Sequence, residues 1–315
     1  MSFSVTRREA MGRLGHWGVV VGLAGGAGGS WAAQHVAVQD HSGEVRMPLQ
    51  PRTVLVLDLS ALDIIQSLGG GVQGVPNQSL PPLLARYADT ARYPHIGSLF
   101  EPDYEKIRAL KPDLIIAGNR SLPKIEALKK FAPVLDVTID NQQQLDGVYR
   151  NIRALAAIYG VAEKGEAEIQ ALEKAIAGLR VQAARQGPGL FLMTNGGKLS
   201  VYGPGSRFDM LYSVFGMQPP AQKIEVSKHG QAVSFEYLLK TNPQWLLVLD
   251  RDAAIGREGE AAQKLLDNKL VHATRAWRNQ QVVYLHAATW YTLSNAGPGA
   301  LKTNIQQLSN AFSRS

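Results

Sequence analysis

A chain of 315 residues is long enough for two domains, each with a core of its own. Its 45% hydrophobic and 19% charged residues are ordinary for a globular protein, and a net charge of +7 spread without any Lys/Arg block or basic-aromatic ladder argues against nucleic acid as a partner. With no cysteine at all, the chain can form no disulfide, use no thiol nucleophile and carry no lipid on an N-terminal cysteine.

In chain order, the first segment reads as an address rather than as structure. Arg7, Arg8 and Arg13 precede a mildly apolar, Gly-rich run from Trp17 to Gly29, and Ser30-Trp31-Ala32 offers small residues for cleavage. The run is too short and too weak to span a bilayer. Residues 1–32 are therefore expected to be an export signal peptide, with the Arg pair of the twin-arginine type and a general secretory signal as the alternative. The expected product is a soluble protein, free in the periplasm and not lipid-anchored.

From there Gly and Pro punctuate an alternation of short apolar strands and amphipathic helices. Thr53–Asp58 (TVLVLD) reads as a buried strand, LSALDIIQSLG as a helix and GVQGVP as a second strand. DYEKIRAL, PDLIIAG, LPKIEALKKF and PVLDVT continue as helix, strand, helix, strand. A long helical block then runs from Leu145 to about Gln186, and its second part places Ile169, Leu172, Ile176 and Leu179 on one stripe. Strand-helix alternation resumes at GLFLMTNGG and passes through RFDMLYSVFG, FEYLLKTN, PQWLLVLD, AAQKLLDN and NQQVVYL to a closing helix, GALKTNIQQLSNAF. The expected fold is α/β: two Rossmann-like lobes with mostly parallel sheets, 33–160 and 188–315, joined by one long bridging helix, 161–187, with the ligand cleft between lobes.

One sentence of sequence occurs twice. YEKIRALKPDLIIAGNR and FEYLLKTNPQWLLVLDR align at an offset of 131 positions, which sets Glu105 on Glu236, Pro112 on Pro243 and Arg120 on Arg251. Each copy is a helix, a Pro break, a buried strand and a loop bearing an Arg. Ligands of open α/β sheets lie beyond the carboxyl ends of the strands, which is where Arg120 and Arg251 fall. The two Glu open their helices, where a carboxylate is favoured by the helix dipole, so capping alone would account for them. Arg207, in GPGSRFD, follows a turn; His229, in SKHGQ, precedes a helix; Trp290 and Tyr291 occupy a polar loop after VVYL. A solvated loop suffices for any one of the cations or for His229, and packing for the aromatics.

No dinucleotide fingerprint, phosphate loop, nucleophile elbow or H-E-x-x-H is present, and the seven His do not cluster, so nothing reads as an enzyme. The layout as a whole resembles the class III periplasmic solute-binding proteins of ABC importers, with GSLFEPDYEKIRALKPDLIIAG as the most recognisable segment. Within that family GPGSRFDMLYSVFG, KHG, LLVLDRDAAIG and TWYTLSNAG are similar to the branch that binds ferric catecholate siderophores of the enterobactin and petrobactin type. The resemblance implies that Arg120, Arg207 and Arg251 surround an anionic ferric chelate; Trp290, as an aromatic in a polar loop after a strand, is expected to join the same ligand site. It implies that His229 and Tyr291 ligate iron directly when the siderophore is tetradentate, and that Glu105 and Glu236 dock on the permease. The family's first Arg usually follows the Gly directly, whereas here Asn119 stands between Gly118 and Arg120. The implied function is iron uptake by a monomer with no permanent cofactor, the Fe(III)-siderophore being the transported ligand and the inner-membrane ABC importer the partner. A haem, hydroxamate-siderophore or cobalamin binder on the same fold is the alternative.

Overall fold

The computed structural model describes residues 34–227, 229–257 and 261–314; the expected export signal lies outside them. The described chain opens with an antiparallel hairpin, β1 (His35–Asp40) and β2 (Gly43–Pro48). Its turn is fixed by Asp40, whose Oδ1 accepts both the backbone N–H and the hydroxyl of Ser42 at 2.7 Å. Three short parallel strands follow, β3 (Val54–Val56), β4 (Leu114–Ala117) and β5 (Val134–Asp136), in that spatial order. GVQGVP contributes only isolated bridges, Leu55 with Gly74 and Val75 with His95. Between and after these strands come α1 (Leu59–Leu68), α2 (Tyr104–Leu110), α3 (Ile125–Leu128) and α4 (Gln144–Ile158).

The long helical block is two helices. Gly160, at φ +70, adopts the left-handed conformation that separates α4 from α5 (Ala162–Ala183). The 22 residues of α5 extend about 33 Å. It buries the expected stripe, Ile169, Leu172, Ile176 and Leu179, together with Ala183.

The second sheet contains β6 (Gly189–Asn195), β7 (Lys198–Tyr202), β8 (Gln231–Val233), β9 (Trp245–Asp250) and β10 (Val282–Tyr284), in the order β10-β9-β6-β7-β8. The first three in that order are parallel, as expected; β7 and β8 add an antiparallel arm. The arm arises because Gly196 and Gly197, at φ +54 and +75, make a two-residue hairpin turn between Asn195 and Lys198. Short helices line this half: α6 (Met210–Ser213), α7 (Phe235–Thr241), α8 (Arg251–Ala254), α9 (Ala262–Leu265), α10 (Lys269–His272) and α11 (Arg275–Arg278). The last element is α12 (Pro298–Phe312), which packs on α5 and on α1. The expected second lobe, 188–315, thus ends in a helix seated against the bridging helix and the first half of the fold.

Strand alternation builds the cores. Val54, Val56, Phe191, Met193, Leu247 and Leu249 face one continuous cluster that also takes in α1, α4, α5 and α12. Leu55, Leu57, Ile115 and Ala117 face a separate cluster under α2 and α3, and Leu190, Leu192, Leu246 and Val248 one under α7. Both sheets are therefore covered on both faces, and their inner faces share one core. No helix among the described residues is long and apolar enough to cross a membrane.

The sequence repeat is a structural repeat. Asp103 caps α2 by accepting the Lys106 N–H at 3.1 Å, and Ser234 caps α7 by accepting the Tyr237 N–H at 3.4 Å. Each seven-residue helix ends on a left-handed residue, Lys111 at φ +48 and Asn242 at φ +42, followed by the Pro and then by β4 or β9. The same local code of cap, left-handed stop and Pro delivers each strand into its sheet.

Candidate ligand-binding cleft

The strand ends bring four of the expected residues together. Arg120 leaves the end of β4, Arg251 the end of β9, Arg207 the loop after β7, and Tyr291 the turn Ala288–Thr292 after β10. Arg251 Nε donates to the Tyr291 hydroxyl at 2.9 Å. Nη2 of Arg120 and Nη2 of Arg207 donate to the Tyr291 carbonyl at 3.3 and 3.4 Å. All three guanidinium carbons also lie near the tyrosine ring, at 5.9 Å for Arg120, 4.5 Å for Arg207 and 5.6 Å for Arg251. Arg251 is steadied further by the Asn195 side-chain oxygen at 3.0 Å, and the Arg207 carbonyl accepts from Gln144 Nε2 at 2.9 Å.

Charge crowding shows in the titration of these groups. Burial, then the Arg207 cation beside it, pulls the Arg120 guanidinium below its ordinary value. Burial alone would push the Tyr291 phenol up, but the Arg251 hydrogen bond and the three cations outweigh it and leave the phenol below its ordinary value. Three like charges around one ring repel each other, and an anion placed among them removes that repulsion.

Asn119 does not displace Arg120; it fastens the loop that carries it. At φ +51 it takes a left-handed conformation that Asn tolerates. Its side chain donates to Asp58 Oδ2 at 2.9 Å and accepts the Ile139 N–H at 3.1 Å, while its own N–H donates to the Thr138 hydroxyl at 3.0 Å. The ends of β3, β4 and β5 are thereby tied at one residue. Gly118 is required just before it, since a side chain there would run into the backbone of Val137 and Thr138.

Arg120 and Arg207 line a cavity of about 750 Å³. Asp58, Ser60, Asn119 and Gln144 supply other polar walls, and the exposed Phe100 and Val226 belong to the lining as well. Of these six the sequence drew attention only to Asn119, and to that only as an insertion before Arg120; the strand-end position of Asp58 and Asn119 is the signal that could have pointed to the lining.

The other expected site residues lie apart from the arginine cluster. Trp290 is a correction: it is fully buried, packing near Phe191 at 5.9 Å and Phe215 at 6.0 Å, because the turn that aims Tyr291 at the arginines aims its neighbour into the core. His229 is exposed, in the turn just beyond the cavity-lining Val226 and Ser227, and its ring has no partner among the described residues. Glu105 and Glu236 are exposed in the first turns of α2 and α7 and do not line the cavity. Hydrogen bonds from Ser234 and the backbone hold the Glu236 carboxyl below its ordinary value. Among the described residues no group of three or more His, Asp or Glu could hold a metal ion.

A family model described as periplasmic binding protein matches residues 54–289. The chain is 35% identical over 272 residues to the petrobactin-binding protein YclQ of Bacillus subtilis, covering 85% of each chain. The crystal structure of that protein superposes with a TM-score of 0.85 at 33% identity, covering 90% of this chain and all of that one. The ferric-anguibactin-binding protein FatB of Vibrio anguillarum is 28% identical over 284 residues, covering 88% of this chain and 87% of its own. The periplasmic catecholate-siderophore binding protein VctP of Vibrio cholerae superposes with a TM-score of 0.82 at 30% identity, covering 88% of this chain and 100% of its own.

Proposed function

This chain belongs to the periplasmic binding protein family, and from that premise we propose that it captures a ferric catecholate siderophore in the cleft and delivers it to an ABC importer. It is a substrate-binding protein and not an enzyme. The observation that carries the proposal is the convergence of Arg120, Arg207 and Arg251 on Tyr291. Ferric iron is a hard cation that takes oxygen donors and tolerates imidazole, and its catecholate complexes are anionic. Planar guanidinium forks suit such an anion.

The Tyr291 oxygen and the His229 nitrogen are the proposed protein donors to iron when the chelate supplies four donors and leaves two positions open. A cation at the phenol oxygen would favour the phenolate, in the same direction as the arginines act. Glu105 and Glu236, at matched positions outside the cavity, are the proposed contacts with the permease. The remaining expectations belong to the same proposal: cleavage after residue 32, release into the periplasm without a lipid anchor, lobes divided near 160 and 188, and action as a monomer.

The test is a tryptophan-fluorescence titration of the mature chain with a ferric bis-catecholate. Saturable quenching at submicromolar concentration, weakened at least tenfold in Arg207→Ala, supports the proposal. Equal affinity in both proteins would remove its basis.

A further inference from the structure

The segment after Tyr291, SNAGPGA, is built around a carboxylate from the far end of the chain. Asp63 lies on α1, is 1% exposed, and is surrounded along the helix by buried residues from Leu59 to Ile65. Its Oδ2 accepts the Ala300 N–H at 2.9 Å and its Oδ1 the Gly299 N–H at 3.2 Å. These are orphan donors in the first turn of α12, where a carboxylate is favoured twice over, by hydrogen bonding and by the helix dipole. Pro298, at the first helical position, has no N–H to satisfy. Gly297 and Gly299 make the room: a Cβ at either would come within 2.3 and 2.5 Å of the Asp63 carboxylate oxygens. Neither glycine has a positive φ, so space is the reason for both.

One turn further along the same face of α12 is Asn304, fully buried. Its side-chain oxygen accepts the Thr289 hydroxyl, and its amide donates to the Asn295 side-chain oxygen. Thr289 and Asn295 bracket Tyr291, and the Asn295 N–H donates to the Thr289 carbonyl at 3.2 Å. Asn295 itself is 2% exposed and held at φ +56. One buried side chain thus closes both ends of the segment that presents the tyrosine.

We propose that Asp63 and Asn304 are positioning residues for Tyr291: Asp63 fixes the C-terminal helix to the first half of the fold, and Asn304 fixes the tyrosine segment to that helix. The inference rests on the reading of Tyr291 as part of the ligand site. Its consequence is mechanical. The tyrosine segment is a strap, rooted at one end in the second sheet and at the other in α1 through α12. That anchorage is what lets Arg120 from the first sheet and Arg207 and Arg251 from the second meet on one residue.

The experiment compares wild type, Asp63→Asn, Asn304→Leu, Thr289→Val and Tyr291→Phe with a tetradentate and a hexadentate ferric catecholate. A hexadentate chelate fills the iron octahedron and needs no protein oxygen. Asn304→Leu and Thr289→Val are expected to weaken the tetradentate complex at least tenfold more than the hexadentate one, whose smaller loss comes only through the displaced arginines. They should also shift the visible charge-transfer band of the tetradentate complex. Asp63→Asn should act in the same direction with a smaller effect. Thr289→Val keeps the side-chain volume and remains informative if Asn304→Leu does not fold.

A second readout is independent of iron ligation: amide hydrogen exchange at residues 289–296 in the ligand-free protein, expected to quicken at least tenfold in these variants while β9 is unchanged. If Tyr291→Phe splits the two chelates and the Asp63 and Asn304 variants do not, the positioning role is wrong and the ligand site stands. If Tyr291→Phe itself leaves both chelates unaffected, the tyrosine reading fails, and unchanged exchange at 289–296 would overturn the strap as well.

Discussion

Replacing Asp63 by Asn should change how stability depends on pH. Burial pushes the Asp63 carboxyl up from 3.8 to about 6, although the Ala300 and Gly299 N–H groups and Lys302 pull it down and Glu168 pushes it up. The Asp63 charge also acts on the Tyr87 phenol. The folded carboxyl therefore holds its proton more tightly than the unfolded one. Its favourable contribution is complete below about pH 3.8 and is lost as pH rises through about 6. A shift of this size corresponds to about 3 kcal/mol in all, of which about 2–3 kcal/mol falls between pH 4 and pH 7. Asn does not titrate. Urea unfolding of both proteins, followed by tryptophan fluorescence at each pH from 4 to 7, isolates the effect as the wild-type stability minus the variant's. That difference should fall by about 2–3 kcal/mol across the range. A difference that stays constant, or rises with pH, would refute the buried-carboxylate account of the α12 anchor.

Other outcomes follow from the cleft. Arg251→Ala removes the hydrogen bond to the Tyr291 hydroxyl and one of three cations, and titration calorimetry should find ferric catecholate binding weaker by about 1.5–3 kcal/mol, as for a hydrogen bond to a charged group. Asn119→Gly unties the loops after β3, β4 and β5; binding should fall through loss of Arg120 placement, and stability by about 1–2 kcal/mol in thermal unfolding. Glu105→Ala combined with Glu236→Ala should leave chelate affinity within twofold and impair uptake by cells, since both side chains lie outside the cavity. A tenfold loss of affinity in the double variant would contradict the docking role.

The parts of this molecule that could be read from sequence are those governed by local rules. The repeat was legible because each copy carries its own stop and start: Asp103 or Ser234 as a cap, Lys111 or Asn242 in the left-handed turn, then Pro and a buried strand. The arginines could be placed because strand ends of an α/β sheet collect at one edge. The hairpin His35–Pro48 was missed although Val36, Val38, Val45 and Met47 alternate with polar or small residues. The Asn195-Gly196-Gly197-Lys198 turn, a strong hairpin signal, should have announced β7. Trp290 was misplaced because a sequence cannot say which of two adjacent aromatics in a turn faces the core. Asp63 was invisible for a different reason. Its partners lie 236 and 237 positions away, and only the oddity of a carboxylate within an otherwise buried helix hinted at them.

The most direct measurement offers the mature protein an equimolar mixture of a ferric bis-catecholate, a ferric hydroxamate, haem and cobalamin, and identifies the retained species by native mass spectrometry. The account predicts one ferric catecholate per protein chain, lost from a protein carrying Arg120→Ala, Arg207→Ala and Arg251→Ala together. Retention of haem, hydroxamate or cobalamin in its place, or retention of the catecholate by the triple variant, would contradict it.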